Sequence, residues 1–438
     1  MNTVAEVVLW GTSIGAISWD DALGYGAFEY DKAFLTSGIQ VSPIMMPLSD
    51  TVYRFPQLDK TAFYGLPGLL SDLLPDKFGH ALIDAWLATQ GRRAASFNPV
   101  ERLCYIGSRG MGAVEVKPSM GPSTDPSRAL AVDQLVDLAS TILSERQQFS
   151  TAFRGDQDSA GLQDIFRVGT SAGGARAKAI IAWNEKTNDV RSGQIEADTD
   201  YSYWLLKFDG VSNNRDKELN DPKGFGAIEY AYYLMATAAG IEMSQCRLFE
   251  EGGRQHFMTQ RFDRVNHNGR YQKRHMQTLA ALCHYDFNQA GAYSYEQAFA
   301  TIRQLGLPMQ SLEQQFRRMV FNIVARNQDD HVKNIAFLMD KRGQWSLSPA
   351  YDITYSYNPD GLWTNQHQMT LNGKRDGFVQ QDFDDCAATI ALARGRAKAI
   401  VEEIIDVVSA WKIFAGKAGV DMQWQNEISK HHRLSFMC

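Results

Sequence analysis

The chain is poor in cysteine. Its five cysteines are scattered over 438 residues and show no CxxC spacing: Cys104, Cys246, Cys283, Cys386 and Cys438. A disulfide framework or a structural zinc site would need paired or clustered cysteines. The sequence therefore predicts a reduced, cytoplasmic protein without a structural zinc site.

The chain also lacks long apolar runs and an excess of positive charge. No apolar run approaches the roughly 20 residues of a membrane-spanning helix. The first residues, MNTVAEVVLWGTSIG, have no basic segment before a long apolar core. The net charge is −6, from 44 basic and 50 acidic residues, which argues against coating of nucleic acid by bulk charge. We expect no signal peptide and no membrane contact, and a local basic patch is the remaining route to nucleic acid.

The composition is that of a globular protein, with 44% hydrophobic and 21% charged residues. A chain of this length is expected to form two or three domains. Strand patterns alternate with helical periodicity in the first part of the chain, and helical patterns dominate afterwards. We predict an α+β fold with an N-terminal α/β subdomain at 1–150, an α/β lobe at 151–270 and a mostly helical lobe at 271–438.

Helical periodicity recurs along the chain. The segments that show it are 61–93, 131–147, 225–239 and 396–415. Pro67 and Pro75 are expected to interrupt the first of these. A further helix is predicted to end near Arg326, with Ser311 and Gln314 as a capping box at its start.

A carboxylate, an amide and a second carboxylate follow that helix. Asp329 precedes Asn334 by five residues in DDHVKN, and Asp352 closes the segment LSPAYD. Asp329 can accept the proton of an attacking hydroxyl, and Asn334 and Asp352 offer hard oxygen ligands to Mg²⁺. The Asp-x-x-x-x-Asn spacing also matches the catalytic loop of protein kinases. A lone spacing of this kind also occurs in ordinary polar loops, but the three elements together predict ATP-dependent phosphoryl transfer.

A glycine-rich segment, VGTSAGGARAKAIIAW, is the candidate phosphate cradle. Small residues let backbone N–H groups approach phosphate oxygens closely, and the GxxxxGK[ST] pattern of a Walker A loop is absent. The alternative is an ordinary turn before a strand. The predicted nucleotide-binding residues here are Ser171, Ala172, Gly173, Gly174, Ala175, Arg176 and Lys178.

Lys207 lies inside an apolar strand, SYWLLKFDG. A charge in such a place is costly unless it is paired. A nucleotide phosphate and Glu229, on the predicted helix 225–239, would provide that pairing, as in the Lys–Glu pair of kinases. The alternative is an edge strand from which Lys207 reaches water. Residues 209–224 are polar and are predicted to form a mobile loop close to the site.

The motifs together resemble those of the HipA family of serine/threonine kinases, the toxins of bacterial HipBA-type toxin–antitoxin systems. DDHVKN with LSPAYD looks like the paired signature of that family, and SxxGAxxK at Ser171 to Lys178 is similar to its phosphate-binding loop. The segment LLSDLLPDKFG and the glycine-rich turn at 107–112 also look like the family's N-terminal region.

This resemblance implies a bilobal, protein-kinase-like fold with ATP and Mg²⁺ as cofactors, and autophosphorylation at Ser171. It implies a protein substrate in translation, with glutamyl-tRNA synthetase as the family precedent. It also implies a small helix-turn-helix antitoxin, HipB-like, through which operator DNA would mainly be contacted. The alternatives are a small-molecule phosphotransferase on the same scaffold and a nucleotide-binding pseudokinase that serves as an interaction module.

The segment HFMTQRFDR is similar to the family's connection between lobes. The backbone near Gln260 and Phe262 would then offer hydrogen bonds and an apolar face to adenine, although a plain core strand fits equally well. Asp263 and Arg264 are expected to form a structural ion pair.

Two more groups are expected near the catalytic loop. His331 is predicted to orient the loop or contact phosphate, and Lys333 to neutralise the transferred phosphoryl charge. The segment 365–377, with the pattern HxMxLNGK from His367 to Lys374, also resembles the family. It is predicted to support the catalytic loop or to meet the protein substrate.

Overall fold

An antiparallel five-stranded sheet forms the N-terminal part of the protein. The computed structural model describes residues 3–122, 129–144, 158–169, 176–194, 198–211 and 223–436. The strands are β1 (Thr3–Leu9), β2 (Thr12–Asp20), β3 (Tyr25–Tyr30), β4 (Tyr53–Arg54) and β5 (Val114–Lys117), in the order β4-β3-β2-β1-β5. Alternating buried side chains of these strands face a core of their own.

Short helices cover that sheet. They are α1 (Lys32–Leu35), α2 (Lys60–Phe63), α3 (Gly68–Ser71) and α5 (Pro99–Ile106), whereas the longer α4 (Lys77–Thr89) packs Phe78 and Leu82 into the core of the second sheet. The predicted interruptions hold, since Pro67 is the N-cap of α3 and Pro75 lies between α3 and α4. Asp76 caps α4 by accepting hydrogen bonds from the backbone N–H groups of Phe78 and Gly79.

A second five-stranded sheet follows. Its strands are β6 (Lys178–Asn184), β7 (Asp189–Ser192), β8 (Ser202–Lys207), β9 (Cys246–Glu251) and β10 (Arg254–Gln260), in the order β7-β6-β8-β10-β9. The helices α6 (Val132–Ser144) and α7 (Asp158–Val168) share a core with side chains such as Ile181 and Leu206 on one face of the sheet. The helix α8 (Phe225–Ala238) packs on β9 and β10 and belongs to another core. Because side chains alternate along a strand, Lys207 points to the face opposite Leu206.

The rest of the chain is mainly helical. A hairpin of β11 (Arg264–His267) and β12 (Arg270–Lys273) leads to a three-stranded sheet of β13 (His275–Thr278), β14 (Ala336–Met339) and β15 (Trp345–Leu347). The helices are α9 (Leu279–Cys283), α10 (Tyr295–Gln304), α11 (Met309–Val324), α12 (Gln380–Thr389), α13 (Arg396–Ser409), α14 (Trp411–Ala418) and α15 (Met422–His431). They enclose one large hydrophobic core together with α8. Within the described ranges, no helix has the length and apolarity needed to cross a bilayer.

Two helix predictions were wrong in detail. The helix before the catalytic loop starts at Met309 with Pro308 as its N-cap, so Ser311 and Gln314 already lie inside it. The Gln314 side chain instead accepts from the backbone N–H of Glu242 at 3.0 Å, a tertiary contact. The predicted helix 396–415 is broken at Ala410 and forms α13 and α14.

A buried ion cluster joins the N-terminal part to the second sheet. The Asp263 carboxylate pairs with Arg261 and Arg264, each at 2.7 Å, and accepts from the backbone N–H of Gly112 at 2.7 Å. Burial opposes ionisation, but the two guanidinium groups hold the pKa of Asp263 well below its usual range. The predicted structural pair of Asp263 and Arg264 is confirmed, and it fixes the glycine-rich turn at 107–112.

Candidate active site

Lys207 forms the centre of the site. Its amine donates to Glu229 Oε1 on α8 at 2.5 Å and also to Asp352 Oδ1. Burial acts to lower the pKa of Lys207, but Asp352 and Glu229 raise it by more, so the amine stays charged. The predicted Lys–Glu pair is therefore present, and the edge-strand alternative fails because Lys207 is buried between β6 and β10.

Asp352 has an unusual backbone conformation. Its φ is +57°, in the left-handed region that residues other than glycine rarely adopt. Such strain persists only where the surroundings enforce it, and it often marks a functional position. Burial would raise the pKa of Asp352, but Lys207 and Lys178 lower it well below its usual range. The carboxylate is thus kept ionised and aimed at Lys207.

The catalytic-loop candidate Asp329 is held by three contacts. Its Oδ1 accepts from the Trp363 indole N–H at 2.7 Å, and its backbone C=O accepts from the Asn334 amide at 2.8 Å. The backbone N–H groups of Gln328 and Asp329 donate to Ser356 Oγ at 2.8 and 3.0 Å. The Asp329 side chain is 42% exposed, so a hydroxyl can reach it.

A buried network of hydrogen bonds around Asp330 holds the loop that carries Asp329. Asp330 is fully enclosed; its Oδ2 accepts from His367 Nδ1 at 2.8 Å and from the Tyr295 hydroxyl at 2.5 Å. Its Oδ1 accepts from the Gln368 backbone N–H at 2.7 Å. Burial opposes ionisation of Asp330, yet these donors lower its pKa. The segment 365–377 therefore supports the catalytic loop through His367 and Gln368.

The C-terminal end of the segment 365–377 contacts a neighbouring helix instead of the loop that carries Asp329. The Lys374 amine pairs with Asp382 at 2.9 Å, and the Asn372 amide donates to the same carboxylate at 3.1 Å. Asp382 lies in the first turn of α12. Lys374 thus fastens the segment to a neighbouring helix.

His331 and Lys333 lie beside the loop. His331 Nε2 is 3.9 Å from Asp329 Oδ1. The Lys333 amine lies 4.2 Å from the centre of the Phe287 ring. Burial lowers the pKa of Lys333, and Asp72 and Asp76 counteract that effect.

The phosphate-loop candidates are only partly described. Ser171, Ala172, Gly173, Gly174 and Ala175 lie outside the described residues. Arg176 follows them, with its Nη1 3.5 Å from Glu229 Oε2 and its guanidinium 4.7 Å from the centre of the Phe225 ring. Lys178 is 2% exposed and lies 3.4 Å from Asp76 Oδ2.

The adenine candidates lie at the end of β10. The Gln260 backbone N–H donates to Gln245 C=O at 2.8 Å, and the next N–H, of Arg261, donates to Tyr203 C=O at 2.9 Å. These two donors are engaged within the protein, so the predicted contacts to adenine would have to come from other backbone groups of this segment and from the Phe262 ring. That ring is half-buried and lies 5.6 Å from the ring of Tyr351.

Asn334 and Asp352 fit the donor set that Mg²⁺ prefers. Both line one small cavity, with Tyr351 and His331 among its other walls. An amide oxygen and a carboxylate are hard oxygen ligands, and Mg²⁺ usually completes its shell with nucleotide phosphates and water. The part of the chain described here contains no cluster of three or more His, Cys, Asp or Glu placed to hold a metal.

Comparison with known families assigns the chain. The family model described as the HipA-like C-terminal domain matches residues 170–411, and the one described as the HipA N-terminal domain matches residues 5–117. The first match alone spans more than half of the chain. The chain belongs to the HipA family.

A solved HipA structure has the same architecture. HipA of Shewanella oneidensis MR-1, solved with HipB and its operator DNA, superimposes with a TM-score of 0.67 at 17% identity. The match covers 98% of this chain and 94% of that chain. No curated protein matches the chain in a sequence search. The likeness confirms the predicted α+β, bilobal, kinase-like fold of the HipA family.

Several site contacts of this HipA-family chain were missed in the sequence. Trp363 and Ser356 gave no signal because their partners lie far along the chain. Asp330 belongs to the motif DDHVKN, but nothing in that motif indicated its contacts with His367 and Tyr295. Asp76 carried a weak signal, since it lies in the family-like segment LLSDLLPDKFG, but nothing in that segment indicated its contact with Lys178.

Proposed function

We propose that this chain is an ATP-dependent serine/threonine protein kinase that acts as a HipA-type toxin. The observation that carries the proposal is the bridge from Lys207 to Glu229 and Asp352. Asn334 lies between this ion bridge and Asp329, the proposed catalytic base. It lines the same cavity as Asp352, and its amide donates to the backbone C=O of Asp329. A charged lysine, a helix carboxylate and two loop side chains are the parts that phosphoryl transfer needs.

Asp329 acts as the catalytic base in this proposal. Trp363 fixes Oδ1 of its carboxylate, which leaves Oδ2 to accept the proton of a serine or threonine hydroxyl as that oxygen attacks the γ-phosphorus. The buried Asp330 network keeps the backbone of the loop in place during this step. A positioned base of this kind typically contributes about 10²- to 10⁴-fold to the rate.

The lysines and arginine of the site would hold the nucleotide phosphates. Lys207 would exchange part of its contact with Asp352 for a phosphate oxygen, while Glu229 keeps the amine in place. Arg176 and Lys178 would add positive charge from the glycine-rich segment, and Lys333 would face the transferred phosphoryl group. Asn334 and Asp352 would hold Mg²⁺, which when bound neutralises charge on the phosphates.

The family supplies the finer parts of the proposal. Ser171 is the autophosphorylation site, and the protein substrate belongs to translation, with glutamyl-tRNA synthetase as the first candidate. The solved Shewanella HipA was captured with HipB and operator DNA. We therefore propose a small helix-turn-helix antitoxin as partner, DNA contact mainly through that antitoxin, and action in the cytoplasm.

Transfer of labelled phosphate from ATP tests the proposal. The Asp329→Asn variant keeps the shape of the side chain but removes the proton acceptor. Label transferred to protein in the presence of Mg²⁺ should therefore fall by about two orders of magnitude or more, with ATP binding retained. Asp406→Asn, on the exposed side of α13, is the control and should transfer label like the wild type.

Other outcomes identify other functions. Label that appears only on added small molecules would indicate a small-molecule phosphotransferase. Binding of ATP without any transfer would indicate a pseudokinase. Near-normal transfer by Asp329→Asn would refute the role of Asp329.

A further inference from the structure

Two buried lysines face each other on neighbouring strands. Lys178 of β6 is the antiparallel register partner of Lys207 of β8. Residues paired in this way have Cβ atoms about 4.5–5.5 Å apart and point to the same face of the sheet. Like charges directly opposite each other are destabilising, and a buried charge is costly unless it is paired. Each lysine therefore requires its own carboxylate.

The two carboxylate sources lie in different parts of the protein. Lys207 is neutralised by Glu229 and Asp352, which belong to the second and third parts of the chain. Lys178 is 2% exposed, and Asp76 Oδ2 lies 3.4 Å from its amine. Asp76 comes from the N-terminal part, where it also caps α4.

A second carboxylate of the same segment fastens that part to the catalytic side. Asp72 accepts from the backbone N–H and the hydroxyl of Thr278, at 2.8 and 2.9 Å. Thr278 is the N-cap of α9. Gly68, at the start of α3, lies so close to α9 that a Cβ there would be 2.1 Å from Ala281 C=O. The packing of α3 against α9 therefore fixes the short segment that follows α3, and with it the position of Asp76 at the start of α4.

We infer that Asp76 is a positioning residue of the nucleotide site, and that the N-terminal domain completes the kinase by holding Lys178 beside Lys207. The inference rests on the proposed function, because it assigns Lys178 to the phosphates of ATP. The inference also states that nucleotide binding requires the negative charge of Asp76 and not only its role as the N-cap of α4. Without that charge, Lys178 would turn away from Lys207 or lose its proton.

Asp76→Asn separates the two roles of Asp76. An asparagine caps a helix about as well as an aspartate, so the variant should fold, but it removes the negative charge beside Lys178. We expect the affinity for ADP, measured by isothermal titration calorimetry on the full chain, to fall by about tenfold or more. Asp76→Glu, which restores the charge, should recover most of that loss.

Two comparisons make the result specific. Asp59→Asn is the matched control, because Asp59 is the N-cap of α2 and accepts from the N–H groups of Thr61 and Ala62. Among the described residues no lysine is paired with the Asp59 carboxylate, so this variant should bind ADP like the wild type. In a Lys178→Met background, Asp76→Asn should cost much less affinity than in the wild type, because Lys178 is absent and only the weaker influence of Asp76 on Lys333 remains. Urea unfolding of each variant reports whether the fold is intact.

The outcomes separate this inference from the proposed function. Wild-type-like ADP binding by a folded Asp76→Asn protein would overturn the inference and leave the kinase proposal untouched. An equal loss in the wild-type and Lys178→Met backgrounds would also overturn it. Absence of ADP binding by the wild type would refute the proposed function, and the positioning role with it.

Discussion

Lys207 shows why a charge in an apolar strand needs partners from several elements. Its amine is enclosed by the sheet, and its cost of burial is offset by Glu229 on α8 and by Asp352 after β15. The pair with Glu229 was predicted by analogy with the Lys–Glu pair of kinases, after strand and helix patterns had placed the two residues. It also predicted the set of Asp329, Asn334 and Asp352, because that spacing is a local property of the chain.

Trp363 illustrates what could not be predicted. Its indole reaches Asp329 Oδ1 from 34 residues away, and nothing in the pattern NPDGLWTNQ indicates that contact. The same holds for Asp76, whose partner Lys178 lies in another domain. Such contacts depend on how the loops are folded and on how the domains pack, which no local periodicity encodes.

Trp363→Phe should slow the reaction without weakening nucleotide binding. The variant keeps an aromatic ring but removes the N–H that holds the Asp329 carboxylate, a charge-assisted hydrogen bond worth about 1.5–3 kcal/mol. We expect kcat to fall roughly tenfold, with KM for ATP unchanged, in steady-state kinetics. Trp86→Phe, where the indole packs on the Tyr105 ring, is the control. Equal kcat values for both variants would show that Trp363 does not orient Asp329.

At the level of elements, the helix at 225–239 and the strand that carries Lys207 followed from sequence patterns, but β3, β9 and the hairpin of β11 and β12 were not predicted, and some helix boundaries differed. The predicted helix 396–415 breaks at Ala410, where no proline or glycine marks an end. Trp411 explains the break, because its buried indole donates to Gln425 C=O at 3.0 Å and packs on Tyr232. Tertiary packing overrides helix propensity here.

The contacts between Asp330 and the segment that carries His367 are expected to stabilise the folded protein. Asp330→Ala would leave His367 Nδ1, the Tyr295 hydroxyl and the Gln368 N–H without their acceptor in a buried place. Each unsatisfied group costs about 1–3 kcal/mol, so urea unfolding should show a loss of more than about 3 kcal/mol. Asp406→Ala on α13 is exposed and should change stability by less than about 0.5 kcal/mol. Similar losses for both variants would contradict the supporting role of this network.

At the scale of the whole molecule, the domains are joined by buried polar groups as well as by apolar packing. Asp263 fixes the glycine-rich turn at 107–112, and Asp72 binds Thr278. His284 Nε2 accepts from the Gly68 N–H at 2.9 Å. These contacts make the interface sensitive to protonation.

Acidification should therefore destabilise the protein. Burial lowers the pKa of His275 and of His284 to about 4, from about 6.5 in an unfolded chain. Because the unfolded state then binds more protons, this stability is complete above pH 6.5 and is lost as the pH falls from 6.5 to 4, at about 3 kcal/mol for each group. Urea unfolding between pH 7 and 4 should show this loss. In the His284→Gln variant, the free energy of unfolding should fall less steeply between pH 7 and pH 4. An unchanged dependence on pH would show that His284 does not contribute to the loss of stability in acid.

A mass spectrum of the protein itself tests the central claim most directly, because it requires no knowledge of the substrate. Wild-type protein incubated with magnesium ATP should carry one phosphate on the tryptic peptide of residues 168–176, VGTSAGGAR, at Ser171. The same peptide from Asp329→Asn protein should remain unmodified, since that variant lacks the base. A wild-type protein that binds ATP but stays unphosphorylated after prolonged incubation would contradict the account, as would equal phosphorylation of the Asp329→Asn protein.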